Sequence, residues 1–122
     1  MHLNSLPYSD RACASTLITE ILASPDLNVL SITVNDGEED TVIRSRNMSV
    51  ILDAMATTDW DYIKVHQAQP DGSHFDCGWF WLIYGNGGEP MECISDYAWN
   101  PDGDSEEIIN GIYQRVEQRL EQ

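Results

Sequence analysis

The run Phe75-Asp76-Cys77-Gly78-Trp79-Phe80-Trp81-Leu82-Ile83-Tyr84 constrains this chain more than any other segment. Read with a period of two, Phe75, Cys77, Trp79, Trp81 and Ile83 fall on one side, and Phe80, Leu82 and Tyr84 on the other. Both faces are apolar. Such a strand belongs at the centre of a sheet, covered above and below. The alternation predicts that Trp79, Trp81 and Ile83 face the main core. A stacking platform for bases or sugars would need cationic company that the neighbouring sequence does not supply, so core is the favoured reading of Trp79-Phe80-Trp81.

The remaining elements arrange themselves around this strand. Ser9 or Asp10 is placed to cap a first helix with Ala14, Leu17, Ile18, Ile21 and Leu22 on one face, ended by Pro25. From Asn28 the period becomes two. Leu30, Ile32 and Val34 alternate with Val29, Ser31 and Thr33, Asn35-Asp36-Gly37 turns the chain, and residues 41–46 return as a hairpin. Asn47 or Ser49 opens a short helix in which Met48, Ile51, Leu52 and Met55 share a face. A third strand spans 60–68, Pro70-Asp71-Gly72-Ser73 makes a turn, and the Gly85-to-Pro90 loop leads to a fifth strand over 91–98. Asp104 with Glu107 starts a last helix striped by Ile109, Ile112, Tyr113, Val116 and Leu120, with Arg115 and Arg119 near its C-terminus. The order α-β-β-α-β-β-β-α predicts one α+β domain over 1–122, with a five-stranded, mixed but mostly antiparallel sheet and three helices. The short β-α-β connection makes strands two and three run the same way.

Charge narrows the function. The 122 residues hold 21 Asp and Glu against six Lys and Arg, a formal net charge of -15. This field repels a nucleic-acid backbone and makes a basic protein surface the natural partner. Disorder is excluded, because 42% of residues are hydrophobic, with four Trp and five Tyr. No apolar run approaches a membrane span, and MHLNSLPYSD lacks the basic and apolar parts of a leader, so a cytoplasmic location is expected without membrane contact. Cys13, Cys77 and Cys93 are odd in number and lie in apolar stretches, which fits buried free thiols in a reducing compartment.

The expected topology gathers acids. The hairpin tip, the start of strand three and the turn after strand four share one end of the sheet, bringing together Asp36, Glu38, Glu39, Asp40, Asp59, Asp61, Glu89 and Glu92 as the candidate partner-binding group. Asp102, Asp104, Glu106 and Glu107 form a smaller group elsewhere. Residues 100–106 alternate oxygen ligands, but they lack the glycine and final glutamate of a calcium loop, and Asp104 serves better as a cap. A zinc site drawn from His66, His74, Cys77 and Cys93 lacks paired ligand spacing. No serine stands at a strand-to-helix elbow, no cysteine has an evident base, and Gly85-Asn86-Gly87-Gly88 precedes a strand instead of a phosphate-binding helix. Neither catalytic residues, a cofactor nor a metal is expected.

The segments Gly78-Trp79-Phe80-Trp81-Leu82-Ile83-Tyr84-Gly85-Asn86 and Ile94-Ser95-Asp96-Tyr97, with Asp59-Trp60-Asp61, resemble a family of small bacterial and mobile-element proteins found among phage and plasmid genes. The resemblance covers about residues 47–100. It implies a compact domain and carries no activity, so no functional residue transfers with it. The resulting expectation is a non-enzymatic acidic interaction protein. Its partner is a basic surface of a larger protein, one that itself binds nucleic acid, by analogy with antirestriction and anti-CRISPR inhibitors. The alternatives are a small-ligand or metal-dependent enzyme built on the 85–90 turn, and a scaffold domain whose charge only keeps it soluble.

Overall fold

Helix α1 (Tyr8–Ala23) begins directly after Pro7, without a side-chain cap, and buries Cys13, Ala14, Leu17, Ile18 and Ile21. Ser9 and Asp10 therefore do not act as its caps. Asp10 lies in the first turn and points inward, where its Oδ2 accepts the Gly85 N–H at 2.9 Å. The computed structural model describes residues 5–25, 27–85, 88–102 and 105–121. The expected cap Asp104, the loop residues Asn86 and Gly87, and the side chain of Leu30 lie outside the described part.

Short helix α2 (Met48–Asp53) is capped as expected, Asn47 accepting the Ser49 N–H at 3.0 Å. Helix α3 (Ser105–Leu120) buries Ile109, Ile112 and Val116. Tyr113 of α3 stacks on Tyr97 at 4.4 Å between centroids, and Tyr97 stacks on Phe80 at 5.9 Å. Arg115 and Arg119 do more than complement the α3 dipole. They cross to Glu20 of α1, with Arg115 Nε at 3.0 Å and Arg119 Nη1 at 2.8 Å. Burial alone would raise the Glu20 carboxyl, but the bonds from Arg119 and Arg115 outweigh it and hold the group below its ordinary range.

The strands are β1 (Val29–Asn35), β2 (Asp40–Ile43), β3 (Trp60–Ala68), β4 (His74–Ile83) and β5 (Ile94–Trp99), in the order β2-β1-β3-β4-β5. The α+β class and the element order are those the sequence predicts. β2 and β3 run the same way, but β1 lies between them, so every pairing is antiparallel and the sheet is not mixed. The last strand starts later than expected. Residues Pro90–Cys93 form a 3₁₀ turn instead, because proline suits the first helical position and the Glu92 N–H closes on the Glu89 carbonyl at 2.9 Å. Among the described residues no helix is long and apolar enough to cross a membrane.

All three helices supply the core on one face of the sheet. Ile32, Val34, Ile63, Val65, Phe80 and Leu82 meet Leu17, Ile18, Ile21, Ile51, Ile109 and Ile112 in one buried cluster. Among the described residues the opposite face carries no helix. Trp79, Trp81 and Ile83 lie there, half-buried, which corrects the expectation that they face the main core. The cause is a β-bulge: Val65 pairs with Gly78 but His66 pairs with Asp76, so Cys77 is the extra residue. It resets the alternation. Phe75 and Cys77 point toward the helices before it, and Phe80, Leu82 and Tyr84 after it. Gly78 is required at this point. Its φ is 154°, and a Cβ there would stand 2.3 Å from the Ala98 carbonyl oxygen.

Chemical denaturation should therefore rank three substitutions. Phe80→Ala should cost about 3–5 kcal/mol, the scale of a fully buried aromatic deletion. Gly78→Ala should cost about 1–3 kcal/mol through backbone strain, and Trp79→Ala about 1 kcal/mol through lost ring contacts. Equal losses for Phe80→Ala and Trp79→Ala would contradict this assignment of faces.

Candidate functional site

The uncovered face is a grid set by strand register. One row reads Asp40, Asn35, Tyr62, Trp81, Asp96, and the next Val42, Thr33, Lys64, Trp79, Ala98. Ser31, His66 and Asp76 follow on one side, and Trp60 with Ile83 on the other. Four rings make contact across β3 and β4. Tyr62 stacks on Trp81 at 5.3 Å and 6°, meets Trp79 edge-on at 5.3 Å, and packs at 87° against Trp60 at 5.5 Å. Such arrangements are favourable beyond area burial, and all four residues remain half-buried. A depression of about 400 Å³ lies over Trp60, Tyr62 and Trp79, bordered by Asn35, Gly37 and Lys64.

The acidic hairpin tip is fastened to this platform. A Cβ on Gly37 would lie 2.7 Å from the Trp60 ring, so the tip backbone sits directly against the indole. Asp36 Oδ1 accepts the N–H groups of Glu38 at 2.9 Å and Glu39 at 3.0 Å, and its Oδ2 accepts the Thr57 hydroxyl at 2.8 Å. The bond from Glu39, then those from Glu38 and Thr57, hold the Asp36 carboxyl below its ordinary range. Asp36 is thus a turn-forming residue first. Glu38, Glu39, Asp40 and Asp59 are exposed at this end of the sheet.

The other candidate acids separate from that group. Asp61 is fully buried, its Oδ2 accepting the Ala56 N–H at 2.8 Å and the Tyr84 hydroxyl at 2.5 Å. It follows the inward parity of β3, with Ile63 and Val65, and so is no part of a partner-binding surface. Glu89 and Glu92 flank and lie within the 3₁₀ turn packed near α1 and α3, Glu89 lining a depression with Leu120 and Glu121. The sheet-end group is therefore Asp36, Glu38, Glu39, Asp40 and Asp59. The sequence sign that turns these rings outward is Gly78, a glycine inside a strand, which marks a bulge. Polar Ser31, Thr33 and Asn35 alternate in β1 opposite Tyr62, Lys64 and His66 and carry the same information.

The zinc ligands drawn from sequence do not converge. His66 and His74 border the open face, Cys77 turns into the core, and Cys93 meets Cys13, whose hydrogen bonding together with burial pushes the Cys93 thiol upward. Burial pushes the Cys77 thiol up to about 11. Among the described residues, no three His, Cys, Asp or Glu side chains stand close enough together to hold a metal ion. Comparison of the chain with protein-family models, curated proteins and solved structures finds no match.

Asp61 gives the site end a distinct pH signature. Burial raises its carboxyl above the ordinary 3.8, despite the bonds from Tyr84 and Ala56. Between 3.8 and that raised value the native state keeps a proton that the unfolded chain has released, so this group's stabilisation is lost as pH rises. Asp61→Asn retains an oxygen for both donors and removes the titration. The variant should gain stability relative to the native chain as pH rises above the ordinary 3.8, read as urea midpoints. Parallel pH profiles would contradict a raised Asp61.

Proposed function

We propose that this protein is a non-enzymatic binding module that docks a basic surface of another protein against its open sheet face. The carrying observation is the seating of the acidic hairpin tip on Trp60, which sets exposed carboxylates beside a platform of aromatic rings. Arginine and lysine side chains match both parts: a ring face attracts the cation and a nearby carboxylate pairs with it. Aromatic centres with charged rims are also the anatomy of protein interfaces, where Trp and Tyr dominate the energetics. The net charge of -15 adds long-range steering toward such a partner. We propose further that the partner surface is one that binds nucleic acid, since clustered cations are what both ligands require, and that the encounter takes place in the cytoplasm, where buried free thiols persist.

An octa-arginine peptide serves as the probe. Glu38→Gln with Glu39→Gln should slow its association and flatten the salt dependence, and Trp79→Ala should speed dissociation. Glu106→Gln with Glu107→Gln removes the same charge from the first turn of α3 and should leave the interaction near the native rate. Equal effects of the two double variants would mean that only net charge matters, and the assigned face would be wrong.

A further inference from the structure

Beside the aromatic platform, on the same face, lies a second depression of about 340 Å³, lined by Ser31, Thr33, Asp40, Val42, Arg44, Lys64, His66, His74 and Asp76. Its floor is unusual. Ser31 and Thr33 are each only 6% exposed, yet neither hydroxyl has a hydrogen-bond partner among the described residues. Neither hydroxyl is among the side-chain atoms cut off from solvent without a partner, so both stay open at the floor of the depression to water or to a ligand. Around the two hydroxyls stand a guanidinium, an ammonium and two imidazoles. Arg44 and Lys64 make no ion pair among the described residues, in contrast to Arg115 and Arg119.

Two acids also border the depression, and both are partly engaged. Asp40 accepts the Asn35 side-chain N–H at 2.6 Å, and Asp76 accepts the Gly78 N–H at 3.2 Å. The donor set is the larger one. Lys64 lines this depression and the ring-lined one as well, with Thr33 on one side of it in the register and Trp79 on the other. A ligand spanning both would place an anionic group over Ser31 and Thr33 and a flat ring over Tyr62 and Trp79.

We propose that this double depression binds a small planar molecule bearing a phosphate or carboxylate group. Thr33, Ser31, Lys64 and Arg44 donate to the oxyanion, and the rings of Tyr62 and Trp79 take the planar part. Charge-assisted bonds from Lys and Arg are the strong component, and the hydroxyls set the position of the anion. At physiological ionic strength charges beyond about 8 Å are largely screened, so the balance is set locally, where Arg44 and Lys64 stand with Asp40 and Asp76, each acid already accepting a hydrogen bond. The inference does not depend on the protein partner proposed above, because its occupant is a small molecule.

Titration followed by tryptophan fluorescence tests it, since Trp60, Trp79 and Trp81 all lie on this face. The probes are phenyl phosphate, phenylacetate and uncharged benzyl alcohol. At least one anion should bind saturably and more tightly than benzyl alcohol, and the tighter of the two identifies the head group. Lys64→Met and Thr33→Val, with native far-UV circular dichroism, should each weaken that binding roughly tenfold. In the native chain, amide shifts on adding phenyl phosphate or phenylacetate should gather on Ser31, Thr33, Lys64 and His66, a readout that no variant's folding can confound. Benzyl alcohol binding as well as both anions, unchanged affinity in the folded variants, shifts centred elsewhere, or no saturable response would overturn the proposal.

Discussion

The one-residue bulge at Cys77 determines what this protein shows to solvent. Without it the alternation of β4 would run unbroken, and the side holding Phe75 and Cys77 would carry Trp79 and Trp81 into the helical layer. With it, the inward row after Gly78 becomes Phe80, Leu82 and Tyr84, all buried, and the indoles pass to the open face. A bulge leaves one residue unpaired and forces an unusual backbone geometry, which glycine tolerates best. Gly78 meets that demand where the Ala98 carbonyl leaves no room for a side chain. Packing reinforces the choice, because Phe80 fits beneath the stacked Tyr97 and Tyr113 that seat α3.

Sidedness in the sheet then divides the few cations. Arg115 and Arg119 join α3 to Glu20 of α1, Arg46 donates to the Leu22 carbonyl at 2.6 Å, and Arg11 lies 5.9 Å from the Tyr8 ring centre. Four of the six Lys and Arg are thus bound to the helical layer or its ends, and the other two, Arg44 and Lys64, border the open face. A strongly acidic chain therefore keeps two cationic side chains among uncovered aromatics. Solubility alone gives no reason to hold them there, since the carboxylates already provide ample charge.

Much of the architecture was legible because it rests on local periodicity. The β3 boundaries, the Asn47 cap of α2, the hairpin and the order of elements follow from alternation, caps and turn residues. The shared end of the hairpin tip and the start of β3 follows from connection rules, and the Asn35 and Tyr62 pairing agrees with it. The parity of β4 was not legible from alternation alone, since both of its sides are apolar and hydrophobic patterning cannot choose between them. Asp61 misled for a related reason. Aspartate is seldom buried, and only the geometry of Ala56 and Tyr84 shows why this one is.

That buried carboxylate also explains how the acidic end holds its shape. Ala56 adopts φ of 60°, a strained conformation for alanine, and its N–H is secured by Asp61. The chain leaving α2 is thereby directed so that the Thr57 hydroxyl reaches the Asp36 carboxylate and the Thr58 hydroxyl donates to the Asp36 carbonyl at 2.7 Å. From Asp36 the restraint passes to the N–H groups of Glu38 and Glu39, and from Gly37 to the face of Trp60. The exposed carboxylates at the tip are consequently set on backbone already ordered before any partner arrives. Ordering a loop on binding costs affinity, so a tip held in advance by Asp61, Thr57 and Thr58 lets charge and ring contacts count more fully toward association.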